Sequence, residues 1–345
     1  MASATIYDVA KRAGVGIGTV SRVLNNSAQV SEDTRQRVLL AIKDLKFKPS
    51  SVARKLSRNQ PLHNIGVITL SFAAYYSFAE RLRGVQSVLN EAAYQSYDLV
   101  LYSINSLEHY TERLQTVILA RNVEGLLIID LDISSFFKEA LREVEIPFVG
   151  INHQQGSDWD CITTDNEHGG YLATRHLIDL GHTRIAYVGD PFSDPYGFRT
   201  SEQRHRGYQR ALAEAGIPYR PEYLRLAPHG YDSARQLVPL LLDLPEPPSA
   251  IFVMSDTQAM GCLNALREAG KRVPEDISII GYDDLELSAH IGLSTVKQHL
   301  EKSGRAGMLH LLNRLQGKQT DLPNLPPLEV IPRQTTATKA SGIAV

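Results

Sequence analysis

Two hydrophobic rhythms divide the chain. Over the first sixty residues apolar positions recur at helical spacing: Val9 and Ala10, then Val15, Val20, Val23 and Leu24, then Val38, Leu39, Ile42 and Leu45. That spacing gives three short helices one apolar face each and lets them share a small core. Thr5, followed three residues later by Asp8, is placed as a capping box at the start of "IYDVAKRA". Gly14 ends that helix, a second runs from about Ile17 to Asn25, and a third opens after Ser31, where Glu32 and Asp33 oppose the positive helix end. From about His63 the rhythm changes to near-continuous apolar runs: "NIGVITL", "YDLVLYS", "GLLIID", "PFVGI", "CITTD", "RIAYVGD", "AIFVMSD" and "ISIIGYDD". Between them lie amphipathic stretches such as 79–94, 167–180, 204–215, 232–243 and 257–269. Buried strands alternating with helices predict parallel sheets covered on both faces, an α/β class. About 270 residues of this pattern is long for one sheet, so two similar lobes with a cleft between them are expected.

The stretch "AGVGIGTVSRVLNN", residues 13–26, tests whether its glycines cradle a phosphate. A dinucleotide fingerprint needs G-x-G-x-x-G after a strand and before a helix. Here the third position is Thr19, and the glycines follow the polar, helical "DVAKRA". Helix, glycine-containing turn, helix is instead the pattern of a helix-turn-helix, whose second helix enters the major groove. With Val20, Val23 and Leu24 facing the core, Gly18, Ser21, Arg22 and Asn25 occupy the opposite stripe. Arg22 is the best placed for a bidentate contact to guanine, against the plainer reading of a solvated arginine. Ile17 either touches a thymine methyl or caps the small core.

Charge agrees with this division. The net charge is −2, yet residues 1–60 hold eleven Lys and Arg against four acids, leaving −9 on the remainder. Polyanion binding therefore belongs to the front of the chain. With 43% hydrophobic and 21% charged residues the composition is that of a globular protein, and the start "MASATIYDVAKRAG" lacks the apolar stretch of a signal peptide, so a cytoplasmic protein without membrane contact is expected. Cys161 and Cys262 read as small buried hydrophobes rather than a disulfide or metal pair. No G-x-S-x-G, H-E-x-x-H or Walker pattern occurs, so no catalytic residue, metal or cofactor is expected. A transport binding protein, the other rival, would need an export signal and would have no use for a basic front.

The segments "TIYDVAKRAGVGIGTVSRVLNN" and "VSEDTRQRVLLAIKDLKFKPSSVARKL", with "DNEHGGYLATRHLIDLGHTRIAYVG", "QRHRGYQRAL", "MSDTQAMGCLNALREAG", "VPEDISIIGYDD" and "LSTVKQ", closely resemble the lactose repressor/galactose repressor family of bacterial transcription regulators over nearly the whole chain. The resemblance implies a three-helix helix-turn-helix headpiece (1–48), a hinge helix or linker (49–60), and a two-lobed effector domain of the type I periplasmic-binding-protein kind (61–337), followed by a tail (338–345). Its lobes are expected at about 61–161 plus 293–325, and 162–290 plus 326–337. It adds Thr5, Tyr7, Gly16 and Thr19 to the DNA-facing set, and it gives the hinge a leucine wedge in the minor groove, matched by Leu56, with Val52 one turn earlier and Ala53 beside it. Such a short helix is marginal in water and orders when two copies meet on DNA.

In the cleft the resemblance implies Arg204 as an arginine reaching the effector and Asp283 as a carboxylate taking ligand hydroxyls, a pairing suited to polyols. Asn152 stands where aspartate is frequent, His229 near a position frequently aromatic, and Ser255 replaces a usual asparagine, while its neighbour Asp256 is read as structural. Tyr75, Tyr76 and Phe78 form an aromatic cluster after the first strand, either a stacking wall or lobe or dimer packing. The expectation is a homodimeric repressor on a pseudopalindromic operator of double-stranded DNA, allosterically controlled by a small molecule, foremost a sugar. A purine, a sugar phosphate or a partner protein would also suit the architecture. No leucine heptad follows "VIPRQTT", so no tetramer bundle is expected.

Overall fold

A computed structural model describes residues 6–24, 30–45, 63–70, 76–153, 157–193, 196–197 and 199–339. The chain divides into two units, Met1–His63 and Asn64–Val345. The first contains helices α1 (Ile6–Ala13), α2 (Ile17–Leu24) and α3 (Glu32–Asp44). Gly14 takes φ +65°, the left-handed conformation that stops α1, and the Gly16 carbonyl accepts from the amides of Thr19 and Val20 to start α2. Val9, Ala10, Ala13, Val20, Val23, Val38 and Ala41 close the core, and Arg12 ties α1 to Asp44 of α3 at 2.9 Å. One expected core residue is corrected: Leu39 is 52% exposed. At 100° per residue it turns away from the face shared by Val38, Ala41 and Ile42.

In the second unit, β1 (Asn64–Leu70), α4 (Tyr76–Leu89), β2 (Asp98–Ile104), α5 (Leu107–Ala120), β3 (Gly125–Ile129), α6 (Ser135–Glu143), β4 (Phe148–His153) and β5 (Cys161–Thr163) build the first lobe. Its sheet has the order β2-β1-β3-β4-β5. The second lobe follows with α7 (Asn166–Asp179), β6 (Ile185–Gly189), α8 (Thr200–Glu214), a 3-10 turn (Pro221–Tyr223), β7 (Leu224–Leu226), α9 (Tyr231–Leu242), β8 (Ala250–Val253), α10 (Asp256–Glu268), β9 (Ser278–Ile280) and α11 (Glu286–His290), with sheet order β7-β6-β8-β9. All pairings in these two sheets are parallel. The orders correspond: in both sheets the chain moves outward by one strand, then returns past the starting strand. A ligand crevice belongs at the carboxyl ends of such strands, where the direction reverses.

β10 (Thr295–Lys297) pairs antiparallel with β11 (Glu329–Ile331), and α12 (Leu300–Leu315) packs between them in sequence against α4. The expected lobe boundaries shift slightly. β5 still belongs to the first sheet, so the chain leaves that lobe after Thr163. β10 lies beside the end of β9 through bridges at Ser294 and Lys297, and Val296 joins the second lobe's core, so the return to the first lobe comes after Lys297 rather than at 293. The core of the first lobe receives Met308, Leu311 and Leu312 from α12. Cys161 and Cys262 are free and buried.

Two helix pairs meet at reciprocal glycines, one from each helix. A Cβ on Gly84 of α4 would stand 1.9 Å from the Glu301 carbonyl oxygen, and one on Gly304 of α12 1.9 Å from that of Arg81. Between α7 and α8 the relation repeats: Gly170 faces the Arg204 carbonyl at 2.0 Å and Gly207 that of Glu167 at 1.9 Å. Only hydrogen fits in these seams, so the backbones touch.

Candidate ligand cleft and nucleic-acid interface

On the first unit, Gly16, Gly18 and Arg22 are exposed on one side of α2, Thr19 is half-buried, and Tyr7 on α1 is 68% exposed. A side chain at Gly16 or Gly18 would meet nothing within 4 Å, so these glycines leave an open surface rather than a packed one. Ile17 is 39% exposed and is not part of the small core. No ion pair among the described residues engages Arg22, whereas Arg12, Arg35 and Arg37 face acids. Thr5, Asn25, Val52, Ala53 and Leu56, like Tyr75 of the cleft set, lie outside the described residues, as does the side chain of Ser21.

On the second unit the strand ends converge on a buried polar chain. Arg81 of α4 donates to Asp130 at 3.2 Å, and Asn152 donates to the other oxygen of Asp130 at 2.6 Å. Asn166, at the start of α7, donates to the Asn152 side-chain oxygen Oδ1 at 3.3 Å and accepts from Nε of Arg204 at 3.0 Å. Arg204 also donates to the Met254 carbonyl and stands 3.9 Å from the Asp283 carboxylate. Its guanidinium covers the Tyr282 ring at 3.5 Å. Gln298 donates to Asp283 as well. Asp130, Asn152, Asp283 and Asp284 all take positive φ at or just past strand ends. Such conformations cost about 1–3 kcal/mol each and gather where a site needs them.

A second cluster adjoins it. Ser255 caps α10, accepting from the Gln258 amide and donating to the Gln258 side-chain oxygen at 2.9 Å. Gln258 thereby reaches Asp190 at 3.0 Å, whose other oxygen lies 3.1 Å from Nδ1 of His229. Burial pushes the Asp283 carboxyl up to about 7 against the opposing pull of Arg204. Asp256 is fully buried and satisfied: the Leu285 amide at 3.0 Å and the hydroxyls of Ser288 at 2.6 Å and Thr295 at 2.7 Å all donate to it, which fits a structural carboxylate.

The structure thus brings Arg204, Asp283 and Asn152 together, and joins Ser255 and His229 through Gln258 and Asp190. The aromatic expectation is corrected. Tyr76 and Phe78 belong to α4 rather than a loop, and Phe78, 3% exposed, packs with Ile65, Val67 and Val85 in the lobe core. That supports its lobe-packing alternative and removes its ring from the wall; Tyr76 is 61% exposed. Sequence reasoning missed Arg81, Asp130, Asn166, Asp190, Gln258 and Gln298. Among the described residues no helix is long and apolar enough to cross a membrane, and no group of His, Cys, Asp and Glu could hold a metal ion.

Residues 5–50 match the family described as bacterial regulatory proteins, lacI family, and residues 174–336 match the periplasmic binding protein-like domain. The HTH-type transcriptional repressor PurR of Aliivibrio salmonicida is 36% identical over 324 residues, covering 91% of this chain and 93% of that one. The transcriptional regulator CelR–cellobiose complex has a TM-score of 0.69 at 30% identity, covering 96% of this chain and 99% of that one. The lac repressor dimer bound to operator and the anti-inducer ONPF gives 0.69 at 29% identity, over 97% and 100%. A helix-turn-helix unit with an open α2 face, two lobes of matching strand order and a relative this similar over nearly its full length lead to one assignment: the chain belongs to the lacI family of bacterial regulatory proteins.

Proposed function

We propose that this DNA-binding transcriptional repressor acts as a homodimer on a pseudopalindromic operator and is switched by a sugar held in the cleft. The observation that carries the sugar reading is the buried polar chain from Arg81 to Arg204 with Asp283 beside it, rich in paired donors and acceptors. Hydroxyl groups of a polyol both donate and accept, so they can exchange with these contacts one for one. Tyr282 does not offer its covered face to stack a base. The solved neighbour that carries cellobiose supports the same class. Two-fold pairing would double the base and phosphate contacts of α2, and only a ligand with different affinity for the two lobe arrangements could move the switch.

Electrophoretic shift with fragments of genomic upstream DNA tests the operator reading. Arg22→Ala is expected to weaken specific binding by about 1–3 kcal/mol, roughly 5- to 150-fold, and to relax the preference at one base pair per half-site. Equal affinity and unchanged preference would remove Arg22 from the readout.

A further inference from the structure

The two cleft arginines stand in repeated sequence. "ERLRGVQSVL", residues 80–89, and "QRHRGYQRAL", residues 203–212, share both arginines, the glycine, the glutamine and the last leucine in register. Each segment lies on the helix that follows the founding strand of its sheet, β1 or β6. The geometry repeats with the letters. Three residues after each arginine comes the glycine that seats its helix against a partner's backbone, Gly84 on α12 and Gly207 on α7. Arg81 donates from Nη1 to Asp130, the first residue past β3, and Arg204 from Nη1 to Met254, the first residue past β8. β3 and β8 hold the same place in their sheets, so the two guanidiniums occupy equivalent stations.

Arg81 has capacity beyond this lobe contact. It is 2% exposed, yet its Nε has no hydrogen-bond acceptor among the described residues. A buried donor left unmatched points to a partner that arrives with a ligand. Its positive charge is felt by the Asp283 carboxyl of the other lobe, so the two groups lie within electrostatic reach of one another. Asp130, Asn152 and Asn166 connect it to Arg204 in one unbroken hydrogen-bond chain.

We infer that Arg81 is an effector-binding residue, the first-lobe counterpart of Arg204, and that the effector is a neutral polyol presenting acceptor oxygens to one arginine in each lobe. This rests on the reading of the cleft as a sugar site. Neutrality follows from the local balance: Arg81 already faces Asp130 and Arg204 faces Asp283, while Asp190 adds a third carboxylate paired with an imidazole. A phosphate dianion would meet an Arg81 already paired with Asp130, and the carboxylates of Asp130 and Asp190 would repel it.

The test is thermal denaturation of the full chain against graded glucose, ribose, cellobiose, glucose 6-phosphate and hypoxanthine, for the wild type, Arg81→Lys and Arg81→Leu. Lysine keeps a charge beside Asp130 but loses the planar fork, so it separates binding from folding, and each variant's melting temperature without ligand reports its fold. A neutral sugar is expected to raise the wild-type melting temperature saturably, with its Kd weakened at least about tenfold in both variants. Wild-type affinity in either folded variant overturns the role of Arg81 and leaves the sugar reading standing. A larger shift from glucose 6-phosphate or hypoxanthine than from every neutral sugar overturns the ligand class. If none of the five moves the wild type, the sugar reading falls together with this inference, and operator binding by the same preparation then shows that the DNA-binding assignment stands apart from both.

Discussion

Replacing Gly207 by alanine should loosen the second lobe through one methyl group. At that position a Cβ would stand 1.9 Å from the Glu167 carbonyl oxygen and 2.5 Å from the Tyr171 amide nitrogen, both backbone atoms of α7. No side chain can swing aside, so the helices must part by roughly 1 Å or more to restore van der Waals contact. Overpacking of this kind costs typically about 1–3 kcal/mol, and a rigid backbone neighbour places it at the upper end. Alanine's better helix propensity offsets about 1 kcal/mol, leaving a net loss of about 2 kcal/mol. At about 2–4 °C per kcal/mol for a unit of this size, the melting temperature falls by about 4–8 °C. Arg204 stands one turn earlier on the same helix, so the parting also strains its 3.0 Å contact with Asn166. Calorimetry of Gly207→Ala beside Gly16→Ala, where a Cβ meets nothing within 4 Å, makes the comparison. A Gly207→Ala transition within about 1 °C of wild type would refute the close-contact argument.

Asp283→Asn should raise the melting temperature more at pH 8 than at pH 5. The folded carboxyl titrates at about 7, above its usual 3.8, so the wild type loses stability as pH rises through that window while asparagine does not; an equal gain at both pH values would count against a raised carboxyl. His205 lies among Tyr187, Tyr208 and Phe192, and burial pushes its imidazole down to about 4. The wild type should therefore lose about 1.4 kcal/mol per pH unit from about pH 6.5 down towards 4 relative to His205→Phe, measured by urea denaturation, and parallel stability curves would contradict this. Asp256→Ala leaves the buried Ser288 and Thr295 hydroxyls and the Leu285 amide without their acceptor and should cost at least about 3 kcal/mol, read from the shift in urea midpoint, with a near-neutral result ruling out a structural carboxylate.

Eight strands of the two parallel sheets were legible as apolar runs because most are buried on both faces and need no polar side; the edge strand β2 is the partly exposed exception. β7, β10 and β11 were not, since each is interrupted by a charged residue, Arg225, Lys297 or Glu329, and forms no continuous apolar run. α5 hides for a related reason: in "LEHYTERLQTVILA" only Leu114 and Val117 are buried, too narrow a stripe to stand out. Leu39 shows the opposite error, in which the residue type was read correctly and its direction was not, while Phe78, open between a stacking wall and packing, lies in the lobe core. In the cleft, Arg204 and Asp283 could be carried over from motifs, but Asp130, Asn166, Asp190 and Gln258 meet because distant strand ends converge, and convergence is not written in any local pattern. Arg81 lay between the two. Its signal was the decapeptide echo at 80–89 and 203–212, which a search for short periods passes over.

The glycine seams bear on how a bound molecule could be sensed. Helices locked backbone to backbone have no slack for sliding, so neither half can absorb an incoming ligand by deforming smoothly within itself. Among the described residues the chain passes between the lobes at 164–165, 298–299 and 316–328, and torque produced in the crevice would be relieved there. Stiff halves on compliant joints would convert a local grip into a rotation of whole bodies, and Arg81 and Arg204, the effector contacts proposed above, both stand on seam helices.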